Sequence, residues 1–322
     1  MVFRWFLNAG LLALPIAATV GTLMGIEAHR HAAGLPPLFH SDSHNNGRTT
    51  RDGISNTRYC DLFNPISPPS KGQLYTLNPN QWGVTEDTSG SLCVNITTIA
   101  NGSYPTTATA PPFSVTWQFE PGPTRQPVHA FPNIMVDDVL PVALADISQL
   151  DFNIHWTYSV GSTPANQTNI SQLSSNAVNT NVALDLFFDT DPQTAQNVSL
   201  ARYEMMVWFA GFGNARPFGY SNGIARTKDV NGTIFNLYTG RNGLGQQVLT
   251  WFASNTTERF TGDLYPLISD LFLPYGDVRL SRTDYLGVLS FGTEVFSSSA
   301  NVTFWMPTLS IDIRKSDTVT VG

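Results

Sequence analysis

The chain has 322 residues, of which 42% are hydrophobic and only 13% are charged, and its net charge is −7 at pH 7. A chain of this length holds one large or two ordinary domains, and its apolar content suffices for a sizeable core. The negative charge, with no cluster of Lys and Arg to offset it, excludes nucleic acid as the expected partner.

An apolar segment opens the chain. Residues 5–26 form an uncharged, mostly apolar run after Arg4. As a helix this run would extend roughly 33 Å, which suffices for a bilayer core, and it is longer than the apolar h-region of a typical signal peptide. Residues 1–26 are therefore either a cleaved signal peptide or an anchor that contacts the membrane through residues 5–26. Both interpretations predict an extracellular protein, secreted or tethered to the outer face of the plasma membrane.

The next segment, residues 27–57, is rich in His, Gly, Pro, Asn and Ser and has no hydrophobic periodicity, which predicts a flexible linker. It contains four of the six histidines: His29, His31, His40 and His44. Because neither a carboxylate cluster nor a regular ligand spacing accompanies them, a metal site is the weaker interpretation.

Two further features fit an exported protein. The only two cysteines, Cys60 and Cys93, are expected to form a structural disulfide worth roughly 3 to 4 kcal/mol, with a nucleophilic or metal-binding thiol as the alternative. Eight Asn-x-Ser/Thr sites predict N-glycosylation: Asn95, Asn101, Asn166, Asn169, Asn197, Asn231, Asn255 and Asn301.

From Tyr59 to about Ile313, short β-prone runs alternate with turn clusters. The clearest runs are residues 72–77, 91–96, 113–119, 152–158, 182–188, 232–238, 247–253 and 299–313. Many short strands separated by turns predict a β-sandwich. Residues 120–126 and 161–179 are expected to lie outside its sheets.

One segment has a helical pattern. Four of its apolar residues follow the spacing i, i+3, i+4, i+7: Leu264, Leu267, Ile268 and Leu271. A helix is therefore predicted over residues 261–271, capped by Thr261 or Asp263, with Pro266 in its first turn. It is expected to be the only substantial helix beyond the N-terminal segment.

Residues 202–210 alternate two sets of side chains, which predicts a strand with different faces. One face is apolar and expected to be core: Tyr203, Met205, Val207 and Phe209. The other face carries Glu204, Met206 and Trp208, a set that suits the floor of a sugar-binding cleft.

Two more acids lie in β-prone sequence, Asp185 and Glu294. A buried charge is unfavourable unless it is paired or neutralised, so each acid alone is open to a structural interpretation. Together with Glu204 they suggest glycoside hydrolysis, which uses one carboxylic acid and one carboxylate. Six tryptophans offer flat surfaces for sugar rings, with Trp82 and Trp208 the first choices for the cleft: Trp82, Trp117, Trp156, Trp208, Trp251 and Trp305.

From about residue 59 to residue 313 the sequence resembles glycoside hydrolase family 12, the retaining β-1,4-glucanases. Residues 203–208 are similar to the nucleophile strand of that family, and residues 291–296 to its acid/base strand. The supporting matches are residues 80–83, 128–133, 184–187, 216–219, 242–243 and 262–263, together with the Cys60 and Cys93 pair.

The resemblance implies a β-jelly-roll sandwich of two antiparallel sheets with one helix and a concave cleft. It implies Glu204 as nucleophile, Glu294 as general acid and later base, and Asp185 beside Glu204. Positions that match the cleft lining are Asn80, Trp82, Met206, Trp208 and Asn242, and those that match the cord over the cleft are Pro217, Phe218 and Gly219. It implies neither a metal nor an organic cofactor.

The predicted protein is a monomeric enzyme with a catalytic domain at residues 58–314 and a tail at 315–322. Its predicted reaction is retaining endo-hydrolysis of β-1,4-linked glucan. Xyloglucan is favoured over cellulose and mixed-linkage β-glucan because small residues are frequent near the presumed rim. The alternatives are a carbohydrate-binding sandwich without turnover and a surface glycoprotein whose acids form buried ion pairs.

Overall fold

A computed structural model describes residues 48–49, 54–99, 104–124, 127–276 and 278–316. The predicted signal or anchor, the four linker histidines and the end of the tail lie outside these residues. Among the helices described, none has the length and apolar character needed to cross a bilayer.

The described residues form seventeen strands and three short α-helices. The strands are β1 (Arg48–Thr49), β2 (Ile54–Tyr59), β3 (Tyr75–Asn78), β4 (Gly90–Ile99), β5 (Phe113–Phe119), β6 (Asn133–Val136), β7 (Val142–Ala143), β8 (Ile147–Val160), β9 (Asn179–Asp189), β10 (Tyr203–Phe212), β11 (Arg226–Val230), β12 (Thr233–Arg241), β13 (Gln247–Ala253), β14 (Arg259–Asp263), β15 (Tyr285–Gly292), β16 (Val295–Ser297) and β17 (Val302–Lys315). The helices are α1 (Ile170–Ser175), α2 (Pro192–Ala195) and α3 (Tyr265–Asp270).

The strands form two sheets. The seven-strand sheet has the order β1-β2-β4-β5-β17-β8-β14. The ten-strand sheet has the order β11-β12-β13-β10-β9-β15-β6-β3, with β16 paired to β9 and β7 paired to β15. This arrangement confirms the predicted all-β sandwich.

Aromatic rings pack between the two sheets. Phe152 of β8 stacks on Phe209 of β10 with ring centroids 5.6 Å apart, and Phe291 of β15 lies 5.4 Å from Phe152. All three side chains are buried. The inward side chains of β10 therefore join the common core, as its alternation predicts: Tyr203, Met205, Val207 and Phe209.

The predicted disulfide is present. Strand β2 pairs with β4 so that Tyr59 is opposite Val94. This register brings Cys60 beside Cys93, with their Cα atoms 4.2 Å apart, and the two sulfurs are bonded.

The predicted helix over 261–271 is wrong at its start. Residues 261–263 belong to β14, where Thr261 pairs with Asn153 of β8 and Asp263 with Asp151. Backbone pairing with β8 takes these residues, so α3 begins only at Tyr265. Neither Thr261 nor Asp263 is the N-cap residue, although Asp263 Oδ1 accepts a hydrogen bond from the backbone N–H of Tyr265 at 2.8 Å.

Three other details differ from the expected architecture. Helix α1 lies within residues 161–179 and has six residues, as many as α3, so α3 is not the only substantial helix. Strand β10 runs parallel to β13, because the antiparallel strands β11 and β12 intervene in the chain between them. The seven-strand sheet also begins inside the predicted linker, with β1 and the first residues of β2.

Candidate active site

The outer face of the ten-strand sheet, turned away from the core, carries the predicted nucleophile. On β10, Met206 and Trp208 form a small apolar cluster separate from the main core, and Glu204 precedes them on the same face. The indole N–H of Trp208 donates to Met206 Sδ at 3.3 Å, and the indole packs edge-on against Phe252 of β13. Glu204 therefore lies beside an apolar and aromatic floor.

The neighbouring strand, β9, places Asp185 on the same face. Asp185 is opposite Met206 of β10 and, on its other side, opposite Ser290 of β15. Glu204 is opposite Phe187, two residues farther along β9, so Asp185 and Glu204 are diagonal neighbours. Asp185 is only 7% exposed, and its Oδ1 has no hydrogen-bond partner among the described residues.

Glu294 lies between β15 and β16 and is held by Asn181 of β9. The backbone N–H of Glu294 donates to Asn181 Oδ1 at 2.8 Å. The side-chain amide of Asn181 in turn donates to Glu294 Oε2. Asn181 was not predicted as a site residue, although it lies on the same alternating face as Asp185, four residues earlier on the same strand.

Glu204 has an amide partner as well. Asn242, in the turn between β12 and β13, donates from Nδ2 to Glu204 Oε2 at 2.9 Å. Its Oδ1 accepts the backbone N–H groups of Leu244 and Gln246 at 3.1 and 3.0 Å. Because the oxygen is committed to these donors, the amide of Asn242 can only present its N–H groups to Glu204.

Gln246, which no sequence pattern indicated, holds the Asn242 amide in this arrangement. Its Oε1 accepts the Asn242 amide at 2.7 Å, and its Nε2 donates to the carbonyls of Val198 and Ala201 at 3.0 and 2.6 Å. The side chain is buried. Gln246 thus links the Asn242 turn to the segment that leads into β10.

The three acids share one electrostatic environment. Burial, followed by the charges of Glu204 and Glu294, raises the pKa of Asp185 well above its ordinary value. Burial and the charge of Glu204 raise the pKa of Glu294 to about 8, against the lowering effect of Asn181. Burial raises the pKa of Glu204 to about 7, against the effect of Asn242. The charge of ionised Glu204 thus favours the protonated form of Glu294, the division that a nucleophile and an acid need.

Asn80 and Trp82 lie at one edge of this sheet. They follow β3, the edge strand. The Asn80 carbonyl accepts a hydrogen bond at 3.0 Å from the backbone N–H of Phe131, which lies just before β6 in the chain. Since β6 pairs with β15, this loop reaches the side of the sheet that carries Glu294. The Trp82 side chain is 36% exposed.

The predicted cord, residues 217–219, lies at the opposite edge against β12. Gly219 has a φ of +77°, and a Cβ there would lie 1.8 Å from the Thr239 carbonyl oxygen. Tyr220, the next residue, stacks on Tyr238 of β12 with centroids 5.0 Å apart. Phe218 is 51% exposed. The cord is therefore pressed against the sheet with an aromatic ring open to solvent.

The predicted site residues thus lie on or beside one sheet: Asp185 and Glu204 on its central strands, Glu294 between β15 and β16, and Trp82 and Phe218 toward its two edges. Among the tryptophans, Trp117, Trp156 and Trp251 are fully buried in the core. Trp305 lies in β17 of the other sheet. Of the two tryptophans placed first from the sequence, Trp208 lies with Met206 on the face that carries Glu204, and Trp82 is exposed in the loop after β3.

The sequence and the fold were compared with known proteins. Residues 73–314 match the family described as Glycosyl hydrolase family 12. A probable xyloglucan-specific endo-β-1,4-glucanase A of Neosartorya fischeri is 29% identical over 257 residues, covering 80% of this chain and 92% of that protein. The xyloglucan-specific endo-β-1,4-glucanase A of Aspergillus aculeatus is 30% identical, covering 74% of this chain and 86% of its own length.

Solved structures share the fold. Endoglucanase 3 of Trichoderma harzianum, from the same family, superposes with a TM-score of 0.62 at 21% identity, covering 80% of this chain and 98% of that one. The family 12 xyloglucanase of Bacillus licheniformis gives a TM-score of 0.59 at 16% identity, covering 80% of this chain and all of that one. The chain belongs to glycosyl hydrolase family 12.

Proposed function

We propose that the protein is a retaining endo-β-1,4-glucanase in which Glu204 is the nucleophile and Glu294 the general acid and base. The observation that carries this proposal is the pair of carboxyl groups on one open face, each held by its own asparagine and differing in proton affinity. Binding a sugar needs hydrogen bonds and aromatic surfaces, but it does not need two opposed carboxyl groups.

In the first step, Glu204 attacks the anomeric carbon while the bond from that carbon to the leaving oxygen breaks. Asn242 occupies Oε2 of Glu204, so we assign the attack to Oε1. Glu294 gives its proton to the leaving oxygen. In the second step, Glu294 takes a proton from water, the water oxygen bonds to the anomeric carbon, and Glu204 leaves as a carboxylate.

Asp185 is proposed to act through Glu204. Burial and the charges of Glu204 and Glu294 raise its pKa, which favours the neutral form beside the nucleophile. In this state it is a neutral neighbour that helps to position Glu204 and set its proton affinity.

The glucan is proposed to cross the strands of the ten-strand sheet. Trp82 and Asn80 would contact it at the β3 edge, Met206 and Trp208 beneath the central sugar, and the cord residues Pro217 and Phe218 at the β12 edge. Exposed aromatic side chains at both ends suit the apolar faces of sugar rings. An open cleft of this kind favours cutting within a chain over cutting at its end.

Xyloglucan is the proposed preferred substrate. The curated relatives named above are xyloglucan-specific by their names. A cavity of about 460 Å³ also opens at the start of β10, lined by residues 199–203, Arg241 and residues 244–247. That space offers room for a branch beside the main chain.

An extracellular protein fits the fungal relatives. Five of the predicted glycosylation sites are exposed: Asn166, Asn169, Asn231, Asn255 and Asn301. Asn95 and Asn197 are half-buried, and Asn101 lies outside the described residues. We propose a secreted or outward-tethered glycoprotein that works as a monomer.

The test is release of reducing ends from xyloglucan, barley β-glucan and carboxymethyl cellulose. We expect the parent to cut xyloglucan fastest and Glu204→Gln to lose at least about 1,000-fold in kcat while remaining folded. If the parent binds glucan without releasing reducing ends, the hydrolase proposal is wrong and the protein is a binding module.

A further inference from the structure

Buried hydroxyl groups connect the seven-strand sheet to the backbone that carries Glu294. The hydroxyl of Tyr158, on β8, lies 3.0 Å from Thr293 Oγ1 and 3.3 Å from Thr180 Oγ1. The indole N–H of Trp117, on β5, donates to the same hydroxyl at 2.8 Å. All four side chains are 0% exposed. The group therefore reaches across the core, from the sheet without the acids to the sheet with them.

The two threonines hold carbonyl groups next to the acid. Thr180 Oγ1 donates to the carbonyl of Glu294 at 2.6 Å. Thr293 Oγ1 donates to the carbonyl of Asn181 at 2.5 Å. Asn181 is the residue whose side chain holds the Glu294 carboxyl group. The threonines thus fix both partners of that contact through their backbones.

A count of protons shows what Tyr158 supplies. Each threonine hydroxyl has one proton, and the carbonyl groups take both. The two Oγ1 atoms lie 2.9 Å apart, so two oxygen lone pairs would face each other without a donor. The hydroxyl proton of Tyr158 is the donor left for them, while its own oxygen accepts from Trp117. With this assignment, each hydroxyl proton of the group has an acceptor. Loss of the Tyr158 hydroxyl would leave the buried Oγ1 atoms of Thr180 and Thr293 without a donor.

The regular sheet does not hold Glu294 in place. The pairing of β15 with β9 ends at Gly292 opposite Ala183, and β16 resumes it at Val295 opposite Thr180. Residues 293 and 294 fall in this gap of the ladder. Two long backbone hydrogen bonds remain there: the Thr293 N–H donates to the Pro132 carbonyl at 3.3 Å, and the Asn181 N–H donates to the Glu294 carbonyl at 3.4 Å. The shorter hydrogen bonds to this gap come from the side chains of Thr180, Thr293 and Asn181.

We infer that Tyr158 is a positioning residue for Glu294, acting through Thr180 and Thr293 from the opposite side of the core. The inference rests on the proposed role of Glu294 as the general acid. It predicts that the Tyr158 hydroxyl matters when the leaving oxygen needs a proton and has little effect when it does not.

The experiment compares kcat/KM of Tyr158→Phe on barley β-glucan and on 2,4-dinitrophenyl β-cellobioside. Dinitrophenolate leaves without protonation, so its release reports on Glu204 but not on Glu294. A displaced general acid should lower kcat/KM on the glucan by about 10- to 100-fold. On the aryl cellobioside we expect kcat/KM to stay close to that of the parent.

Tyr75→Phe is the matched control. Tyr75 is also a buried tyrosine, and its hydroxyl donates to the Ala108 carbonyl at 2.6 Å and accepts from Gln73 Nε2 at 2.7 Å. It contacts neither threonine. We expect Tyr75→Phe to lower stability while leaving the ratio of the two kcat/KM values unchanged.

Two results would overturn the inference: equal losses of Tyr158→Phe on both substrates, or full activity on the glucan. Glu294→Ala separates this failure from failure of the proposed function. If Glu294→Ala does not show selective loss on the glucan, the assignment of the acid itself is wrong. If Glu294→Ala shows the selective loss and Tyr158→Phe does not, only the role of Tyr158 is wrong.

A second pair of variants serves if Tyr158→Phe does not fold. Thr293→Ser keeps the hydroxyl group and Thr293→Val removes it. For Thr293→Ser we expect the same ratio of kcat/KM on the glucan to kcat/KM on the aryl cellobioside as in the parent. For Thr293→Val we expect kcat/KM to fall selectively on the glucan. Identical ratios in the two variants would contradict the inference.

Discussion

Asn181 and Asn242 give the two glutamates of the site similar partners in different surroundings. Each amide donates to one carboxylate oxygen, which favours the ionised form and lowers the pKa. At Glu294 the nearby charge of Glu204 acts in the opposite direction and, together with burial, raises the pKa. The difference between the two acids therefore depends on their mutual position and on hydrogen bonds that residues distant in sequence supply.

Replacing Asn242 should shift one side of the pH profile. Asn242→Leu removes the N–H donor, so the pKa of Glu204 rises. Because the nucleophile must be ionised, we expect the acid limb of kcat/KM against pH to move up by about one unit. The basic limb, which Glu294 sets, should stay in place.

Asn153→Leu provides the control, because Asn153 is exposed on β8 of the other sheet. It should leave both limbs unchanged. An acid limb that stays at the parent's pH in Asn242→Leu would show that this hydrogen bond does not set the ionisation of Glu204.

At the scale of elements, the cord depends on a close approach that a side chain would block. Gly219 adopts a left-handed φ and faces the Thr239 carbonyl, whereas Gly223, with a φ of +83°, has open space around it. Both positions strain an alanine: Gly219, with a ψ of 8°, by about 1 to 2 kcal/mol, and Gly223, with a ψ of −179°, by about 1 to 3 kcal/mol. Only Gly219 adds a clash with the backbone of β12.

Gly219→Ala should therefore destabilise the fold more than Gly223→Ala and should also raise KM for xyloglucan, because the cord moves off β12. Phe218→Ala should raise KM without lowering the free energy of unfolding, since its ring is half-exposed. Urea unfolding and initial rates on xyloglucan measure both effects. An unchanged KM in both Gly219→Ala and Phe218→Ala would show that the cord does not contact the substrate.

Strands β9 and β10 show how far the sequence predicts the site. Their alternation is sufficient to assign Glu204 and Asp185 to the outer face, because a period of two leaves one choice once the core face is known. The contact of Asn181 with Glu294 joins residues 113 positions apart, and no local pattern signals it. The predicted start of α3 is wrong for a related reason, because pairing of Thr261 with β8 outweighs the helical spacing of the apolar residues.

At the scale of the whole molecule, the buried acids affect stability as well as catalysis. The pKa values of Glu204 and Glu294, about 7 and about 8, lie above their ordinary value of 4.5. Between pH 4.5 and the raised pKa values, the folded chain binds more protons than the unfolded chain. The free energy of unfolding therefore falls as the pH rises from 4.5 through these pKa values.

Glu294→Gln should relieve part of this loss. We expect it to be more stable than the parent at pH 8 by at least about 1 kcal/mol and close to the parent at pH 4.5. Urea unfolding at several pH values measures the difference. Glu120→Gln, which removes an exposed carboxyl group, should not show it. A parent that gains stability up to pH 8, with no benefit from Glu294→Gln, would contradict the buried-acid interpretation.

Double displacement through Glu204 is tested most directly by trapping the covalent intermediate. The parent is incubated with 2,4-dinitrophenyl 2-deoxy-2-fluoro-β-cellobioside, and the labelled peptide is identified by mass spectrometry. We expect one fluoroglycosyl group, attached to Glu204, and no label on Glu204→Gln. A label on Asp185 or Glu294, or glucan cleavage with inversion and no label, would contradict the proposed mechanism.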